Sequence, residues 1–346
     1  MARTGRRPTL SEVAKRAGVG TTTVSRVING GNRVDPETLA RVRRVIDALD
    51  YTPNQAARIL KGDRTRTIGL LVPSIADPFF SSCAEAAQEV ARRNDSLLIV
   101  LTTQNDPRIE DESINVLIRH RTDGLIIAPG LSSDSHLRKT LDRANVPVVA
   151  LDRPVLGSSI PYVIADNYAG AIVAAKHLID HGFQRIACLT GESTLYTIRE
   201  RIRGYRQAMR NADHPILLDT SIVDYHSAES SVQKMLAGPS PPDAIFTLKN
   251  STTIHVFKAL QNMKVKMPDP VALLGYDDFE LAAAVRPSIT TIRQPVADIG
   301  RIAAELLFED LLERRMEHSS PPARESKQIH LHTTLVLRSS CGCSAC

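Results

Sequence analysis

No apolar run in the 346 residues reaches the roughly 20 that a membrane-spanning helix needs. The basic opening MARTGRRP is followed by no apolar segment, so no export signal is read there and the expected location is the cytoplasm. Cysteine is scarce: five residues are too few and too scattered for a disulfide scaffold. Cys83 and Cys188 fall in helix-like and strand-like segments and read as core thiols. Cys341, Cys343 and Cys346 form a C-x-C-x-x-C end that lacks a clear fourth ligand, so no metal site is expected. Catalytic signatures are missing too. There is no Walker-type loop, no H-E-x-x-H and no G-x-S-x-G, because GEST at Gly191 lacks the second glycine. The histidines show no metal-ligand spacing, and the adjacent Asp277 and Asp278 read as a turn rather than an acid/base pair. Neither an enzyme nor a cofactor is expected.

Charge of one sign is unevenly short. Residues 1–66 carry 14 Lys/Arg against 6 Asp/Glu, a net +8, while the other 280 residues carry 29 against 32, a net −3. A compact basic head on a slightly acidic body points to a polyanion partner.

The head reads as three helices. Thr9 and Glu12 form a capping box, Leu10, Val13, Ala14 and Ala17 make one apolar stripe, and Gly18 ends the helix. A second helix runs from about Thr21 to Asn29 with Val24, Val27 and Ile28 inward; a third starts at Asp35 and Pro36 with Leu39, Val42, Val45, Ile46 and Leu49 inward. The spacing around Gly18 is that of a helix-turn-helix. The second helix is rich in β-branched threonine, a poor choice for helix stability alone. Its outward face carries Thr21, Thr22, Thr23, Ser25, Arg26 and Asn29 and no carboxylate. Hydroxyls bond phosphates or base edges, threonine methyls meet thymine methyls and arginine reads guanine, whereas a carboxylate would be repelled by phosphate. The head, residues 1–52, is therefore read as a double-stranded DNA-binding domain.

Residues 53–66 form a linker in which Asn54 caps a short helix, Asn54 to Lys61, ended by Gly62 and Asp63. So short a helix does not hold alone in water and needs DNA or its copy in a dimer. Leu60 on this basic segment reads either as a wedge between base steps in the minor groove or as a linker leucine packed on the body.

From Thr67 the pattern changes to strand and helix in alternation. The apolar runs are TIGLLVPS, SLLIVLTT, DGLIIAPG, PVVALDRP, YVIAD, RIACLTG, DAIFTLK and VALLGYDD, most of them separated by helical patterns. That predicts α/β architecture with parallel sheets flanked by helices, too long for one five-stranded sheet and so divided into two lobes. Asp152, Arg153, Asp166 and Asp277 recur at strand C-termini, where open α/β sheets bind ligands.

The segments TLSEVAKRAGVGTTTVSRVIN, YTPNQAARILKG, IGLLVPSIADPFF, RTDGLIIAP, VPVVALDRP, TIRERIRGY, LLGYDD and PSITTIRQP occur in order over residues 8–338. Together they resemble the lactose/galactose repressor (LacI/GalR) family, whose body in turn resembles periplasmic ribose-binding proteins. The resemblance implies a dimer or tetramer on a palindromic operator, with no membrane, controlled by a small sugar-like effector between the lobes. It implies base reading by Thr21, Thr22 and Arg26, backbone contacts from Thr9, Thr23, Ser25 and Asn29, and the minor-groove role for Leu60. In the body, residues 67–338, it implies effector contacts from Asp77, Phe79, Phe80, Asp152, Arg153, Arg199, Asn250, Asp277 and Gln294. Gly20 departs from the family's serine at the helix start, and Asp77 stands where ribose binders carry asparagine. KNSTT replaces the usual ND beside Asn250. His226 stands roughly where an aromatic closes the cleft; with Arg153 and Arg199 it leaves a sugar acid or sugar phosphate open as effector beside a neutral sugar, and stacking on Phe79 and Phe80 leaves a purine open. Residues 339–346 are left as a cysteine-containing tail.

Overall fold

The computed structural model describes residues 8–28, 30, 34–52, 64–130, 134–316 and 327–343. Two compact units divide between Thr65 and Arg66.

The first unit holds α1 (Leu10–Ala17), α2 (Thr21–Ile28) and α3 (Pro36–Ala48). The Thr9 hydroxyl accepts from Glu12 N–H at 3.3 Å and Thr9 N–H donates to the Glu12 carboxylate at 2.7 Å, closing the capping box. Gly18 ends α1 at φ +65°, a left-handed position that costs a β-carbon residue roughly 1–2 kcal/mol. Asp35 caps α3 by accepting from Thr38 N–H at 2.8 Å. Val13, Ala14, Ala17, Val24, Val27 and Val42 form the small core, joined by Tyr51.

The second unit has two six-stranded sheets. Strand β1 (Thr67–Val72), α4 (Pro78–Arg93), β2 (Leu97–Thr102), α5 (Pro107–Arg119), β3 (Gly124–Ile127), α6 (Asp134–Ala144), β4 (Val148–Leu151) and β5 (Tyr162–Ala165) build the first lobe. The second lobe follows as α7 (Asn167–Asp180), β6 (Ile186–Leu189), α8 (Tyr196–Asn211), β7 (Leu217–Asp219), α9 (Tyr225–Ala237), β8 (Ala244–Thr247), α10 (Asn250–Asn262), β9 (Ala272–Tyr276), α11 (Glu280–Ala284) and β10 (Thr290–Arg293). The chain then returns through α12 (Val296–Met316) and β11 (Gln328–Leu331) to the first lobe and finishes with β12 (Thr334–Val336) in the second. The sheet orders are β11-β5-β4-β3-β1-β2 and β12-β10-β9-β8-β6-β7. All pairings are parallel except β10 with β12.

Both sheets are covered on both faces, which is why eight of their strands read as apolar runs. In the first lobe α4 and α12 cover one face, and α5 and α6 the other. A Cβ at Gly300 would overlap the carbonyl of Cys83, so glycine permits the close approach of α12 to α4. The second lobe packs α7 and α8 on one face, α9, α10 and α11 on the other. Three crossings join the lobes: β5 to α7, β10 to α12 and β11 to β12. No helix among the described residues is long and apolar enough to cross a membrane.

The segment after β12 does not stand apart as a tail. Ser339–Cys341 forms one 3-10 turn whose Ser340 and Cys341 are buried in the second lobe. Arg338 anchors it, donating to Asp278 at 2.7 and 3.1 Å, while Arg293 and Thr291 donate to the same carboxylate at 2.6 and 2.7 Å. Burial alone would raise the Asp278 carboxyl, but the hydrogen bonds from Arg338, Thr291 and Arg293 outweigh it and hold the group at about 2. A carboxylate depressed on folding stabilises the fold above its ordinary value and loses that contribution as pH falls through its folded-state value. Asp278→Asn should therefore cost about 2 kcal/mol at pH 7, and urea unfolding should show the difference from wild type shrinking between about pH 4 and pH 2. A gap that stays constant over that window would remove this role.

Candidate functional site

The C-terminal ends of β4 and β9 face each other across a cleft of about 260 Å³. Each end places an aspartate in the left-handed region, Asp152 at φ +66° and Asp277 at φ +71°. Few residues other than glycine sit there, and aspartate is among those that tolerate it. The turn points both carboxylates toward buried arginines.

On the first lobe Arg153 donates to Asp152 at 2.8 Å, to the Pro129 carbonyl at 2.7 Å and to Asn105 Oδ1 at 3.0 Å. Asp77 caps α4 by accepting from Phe79 N–H at 3.1 Å. Burial, with the Asp277 charge adding to it, pushes the Asp77 carboxyl up despite that hydrogen bond. Phe79 and Phe80 meet edge to face with centroids 4.9 Å apart and line the cleft beside it. Asn250 reaches over from the second lobe, its Nδ2 3.4 Å from Asp77 Oδ1.

On the second lobe the buried Arg201 donates to Asn167 Oδ1 at 2.8 Å, the Leu248 carbonyl at 2.6 Å and Asp277 at 3.2 Å. Its guanidinium lies 3.7 Å over the Tyr276 ring. Burial alone would lower its proton affinity, but Asp277 and its other neighbours outweigh that and hold the guanidinium above its ordinary value. Gln294, at the β10 to α12 crossing, donates to Asp277 at 2.5 Å, while its own buried Oε1 has no partner among the described residues. Lys249 pairs with Glu192 at 3.1 Å on the rim.

Eight of the expected effector residues thus converge: Asp77, Phe79, Phe80, Asp152, Arg153, Asp277 and Gln294 line the cleft, and Asn250 bonds across it. Two do not. Arg199 is exposed and lies outside the cleft, because α8 buries the stripe Thr197, Ile198, Arg201, Ile202 and Tyr205. Arg201, two residues on, occupies the place expected for Arg199; the helical phase of that stripe is the signal that finds it. His226 is exposed at the start of α9 beside Tyr225, not in the cleft. Asp166 caps α7 at a crossing, accepting from Ala169 N–H at 2.9 Å. Gln104, Asn105, Glu192 and Lys249 also line the cleft and were not among the expected effector residues.

In the first unit, the outward residues of α2 form a separate polar face. Thr21, Thr22 and Arg26 are exposed, Thr23 and Ser25 are half-buried, and α2 holds no acidic residue in its first turn. Gly20 has no side chain to cap the helix, but its carbonyl accepts from Thr23 and Val24 N–H. Thr9 is exposed at the start of α1. Asn29, Asn54 and Leu60 lie outside the described residues.

Residues 9–54 match the profile of bacterial regulatory proteins of the lacI family, and residues 175–341 that of a periplasmic binding protein-like domain. The ribose operon repressor of Haemophilus influenzae is 30% identical over 336 residues, covering 96% of this chain and 98% of the repressor. The structure of a transcriptional regulator CelR–cellobiose complex aligns at a TM-score of 0.70 and 30% identity, over 96% of this chain and 100% of that one. The Lac repressor dimer bound to operator and an anti-inducer shares the fold at a TM-score of 0.84 and 24% identity, over 97% and 99% of the two chains. The chain belongs to the LacI family of bacterial regulatory proteins and is a DNA-binding transcriptional regulator with a small-molecule effector rather than an enzyme.

Proposed function

We propose that the protein represses transcription in the cytoplasm as a homodimer on a palindromic operator, and that its effector is a neutral, polyhydroxylated molecule of the sugar class. The observation that carries the effector class is the charge pairing of the cleft. Arg153, Arg201 and Lys249 each already face a carboxylate, Asp152, Asp277 and Glu192. Among the described residues, a carboxylate or phosphate on the effector would meet no spare cation there and would lie near Asp77. Hydroxyls fit better: Asp77, Asp152, Asp277 and the open Gln294 Oε1 are acceptors, Asn250 and the arginines are donors, and the Phe79 and Phe80 rings offer an apolar wall. The cellobiose held by the CelR structure and the ribose operon named for the Haemophilus relative support the same class.

Regulation follows as a population shift. An effector that binds one closure of the lobes better than the other changes the fraction of protein able to hold operator. Moving that equilibrium from 1:99 to 99:1 takes about 5.5 kcal/mol of differential binding. In the head, Thr21, Thr22 and Arg26 read base edges, and Thr9, Thr23 and Ser25 contact the backbone.

A thermal-shift screen of the full chain against neutral pentoses, hexoses and disaccharides, sugar acids, sugar phosphates and purines tests the effector class. A ligand at about 100 times its dissociation constant adds about 2.7 kcal/mol of stability. A neutral sugar is the expected hit. A response confined to acids, phosphates or purines would overturn the proposed class and leave the DNA-binding role standing.

A further inference from the structure

Helix α7 ends in two histidines that the cleft does not use. His177 and His181 are four residues apart, so they share one face of the helix end, their rings 4.3 Å apart. The chain's last described residues come back to that face. After the 3-10 turn at Ser339–Cys341, Gly342 sits at φ +90° and brings Cys343 beside Cys341. The resulting cluster is compact. His177 Nε2 lies 3.3 Å from Cys341 Sγ and 3.6 Å from Cys343 Sγ; His181 Nε2 lies 3.2 Å from Cys343 Sγ; the two sulfurs are 3.5 Å apart. That sulfur separation is far beyond a disulfide bond of about 2.05 Å.

The spacings are those of a metal's coordination shell. Zinc bound at about 2.3 Å to sulfur and about 2.05 Å to nitrogen spans tetrahedral edges of about 3.8 Å between sulfurs and about 3.6 Å between sulfur and nitrogen. The one S–S and three S–N distances lie near these values. The ligand atoms of His177, His181 and Cys343 all lie within 4.8 Å of one another. Cys341 Sγ approaches His177 and Cys343 but stands farther from His181, so it would swing in as the fourth ligand on binding. The supporting contacts also suit a site. His181 Nδ1 is 2.9 Å from the His177 carbonyl, which makes Nδ1 the protonated nitrogen and leaves the Nε2 lone pair aimed into the cluster. Thr290 Oγ1 stands 3.0 Å from Cys341 Sγ and can donate to a thiolate there. The cluster caps the C-terminal end of α7, where the helix dipole favours a cation.

We propose that His177, His181, Cys341 and Cys343 bind one zinc ion, which clasps the C-terminal segment to α7 and stabilises the second lobe. On binding, each thiol loses its proton to solvent, and the two thiolates neutralise the divalent ion. Two thiolates with two imidazoles suit zinc rather than the harder magnesium or calcium. Four protein ligands close the shell, so the site is structural and leaves no position for substrate. The proposed site departs from the expectation, drawn from the C-x-C-x-x-C end alone, that no metal site forms there. The missing ligands are two histidines with helical i, i+4 spacing, placed more than 150 residues earlier in the chain; Cys346 lies outside the described residues.

The test is the zinc content of the full, untagged chain purified under reducing conditions, measured by elemental mass spectrometry. One zinc per chain is expected, with a fall in Tm on chelation that added zinc reverses. Replacing zinc by cobalt(II) should give the visible bands of a tetrahedral thiolate site. His181 is exposed and Cys343 half-buried, so His181→Ala and Cys343→Ser should fold, as checked by circular dichroism and operator binding, yet lose most of the zinc. A reduced chain that takes up neither zinc nor cobalt overturns the proposal, and so does zinc content unchanged in both variants.

Discussion

Arg201→Met should lower the stability of the body by about 3–5 kcal/mol, the range seen when one partner of a buried ion pair is removed. Arg201 is buried and gives hydrogen bonds to three acceptors, Asn167 at the start of α7, the Leu248 carbonyl just past β8 and Asp277 just past β9. Methionine fills much of the volume but donates nothing. Among the described residues it would leave the Asp277 carboxylate held by Gln294 alone and strand a buried carbonyl and an amide oxygen. Urea unfolding followed by tyrosine fluorescence or circular dichroism reads the change as a lower midpoint at an unchanged slope. A loss below about 1 kcal/mol would mean the arginine does not carry this network. The milder Asp277→Asn keeps the volume and removes the charge. It should abolish the effector-dependent thermal shift while operator affinity without effector stays within a few fold. A retained shift would put the effector elsewhere.

Arg26→Ala should weaken specific operator binding by about 1–3 kcal/mol per half-site, the usual worth of a bidentate contact to guanine. A dimer on a palindrome meets two half-sites, so the combined loss is about 2–6 kcal/mol, at least 30-fold. Arg26 is exposed on α2 and no described acid binds it, so truncation removes a contact to DNA without disturbing the head's core of Val13, Val24 and Val42. Fluorescence anisotropy at fixed salt, with operator and scrambled duplexes side by side, separates the two ways such a residue acts. Loss on the operator alone marks base reading, whereas equal loss on both duplexes marks a phosphate contact. Affinity on the operator changed less than two-fold would remove Arg26 from the reading face.

Much of this is legible in the sequence. In the head, caps and apolar stripes coincide: Thr9 with Glu12, Asp35 with Pro36, and the small Ala14 and Ala17 against Val24. Eight strands stood out as apolar runs because both faces of each sheet are covered. The others, β7, β10, β11 and β12, were not seen. Three of them are sheet edges with half-exposed residues, and the interior β10 is mostly threonine and arginine, so none makes an apolar run. Asp152 and Asp277 are legible as polar ends of apolar strands, whereas Asp77, a helix cap, is pointed to only by the family resemblance. Arg201 was missed in favour of Arg199 because a motif was matched by position, whereas burial on a helix follows a phase of 100° per residue. His226 was misplaced because loop lengths between strands do not set how far a helix start lies from the cleft.

Periodicity, caps and charge in the sequence determined that the protein has a basic helix-turn-helix head and an α/β body, since those are local properties that repeat along the chain. Only the tertiary structure decided which charges meet. Arg201 and Asp277 are 76 residues apart, Asp77 and Asn250 are 173 apart, and His177 and Cys341 are 164 apart. The first follows from strand order within the second lobe, the second from the crossings between the lobes, and the third from the chain's return to the second lobe and the turn at Gly342; no local pattern encodes them.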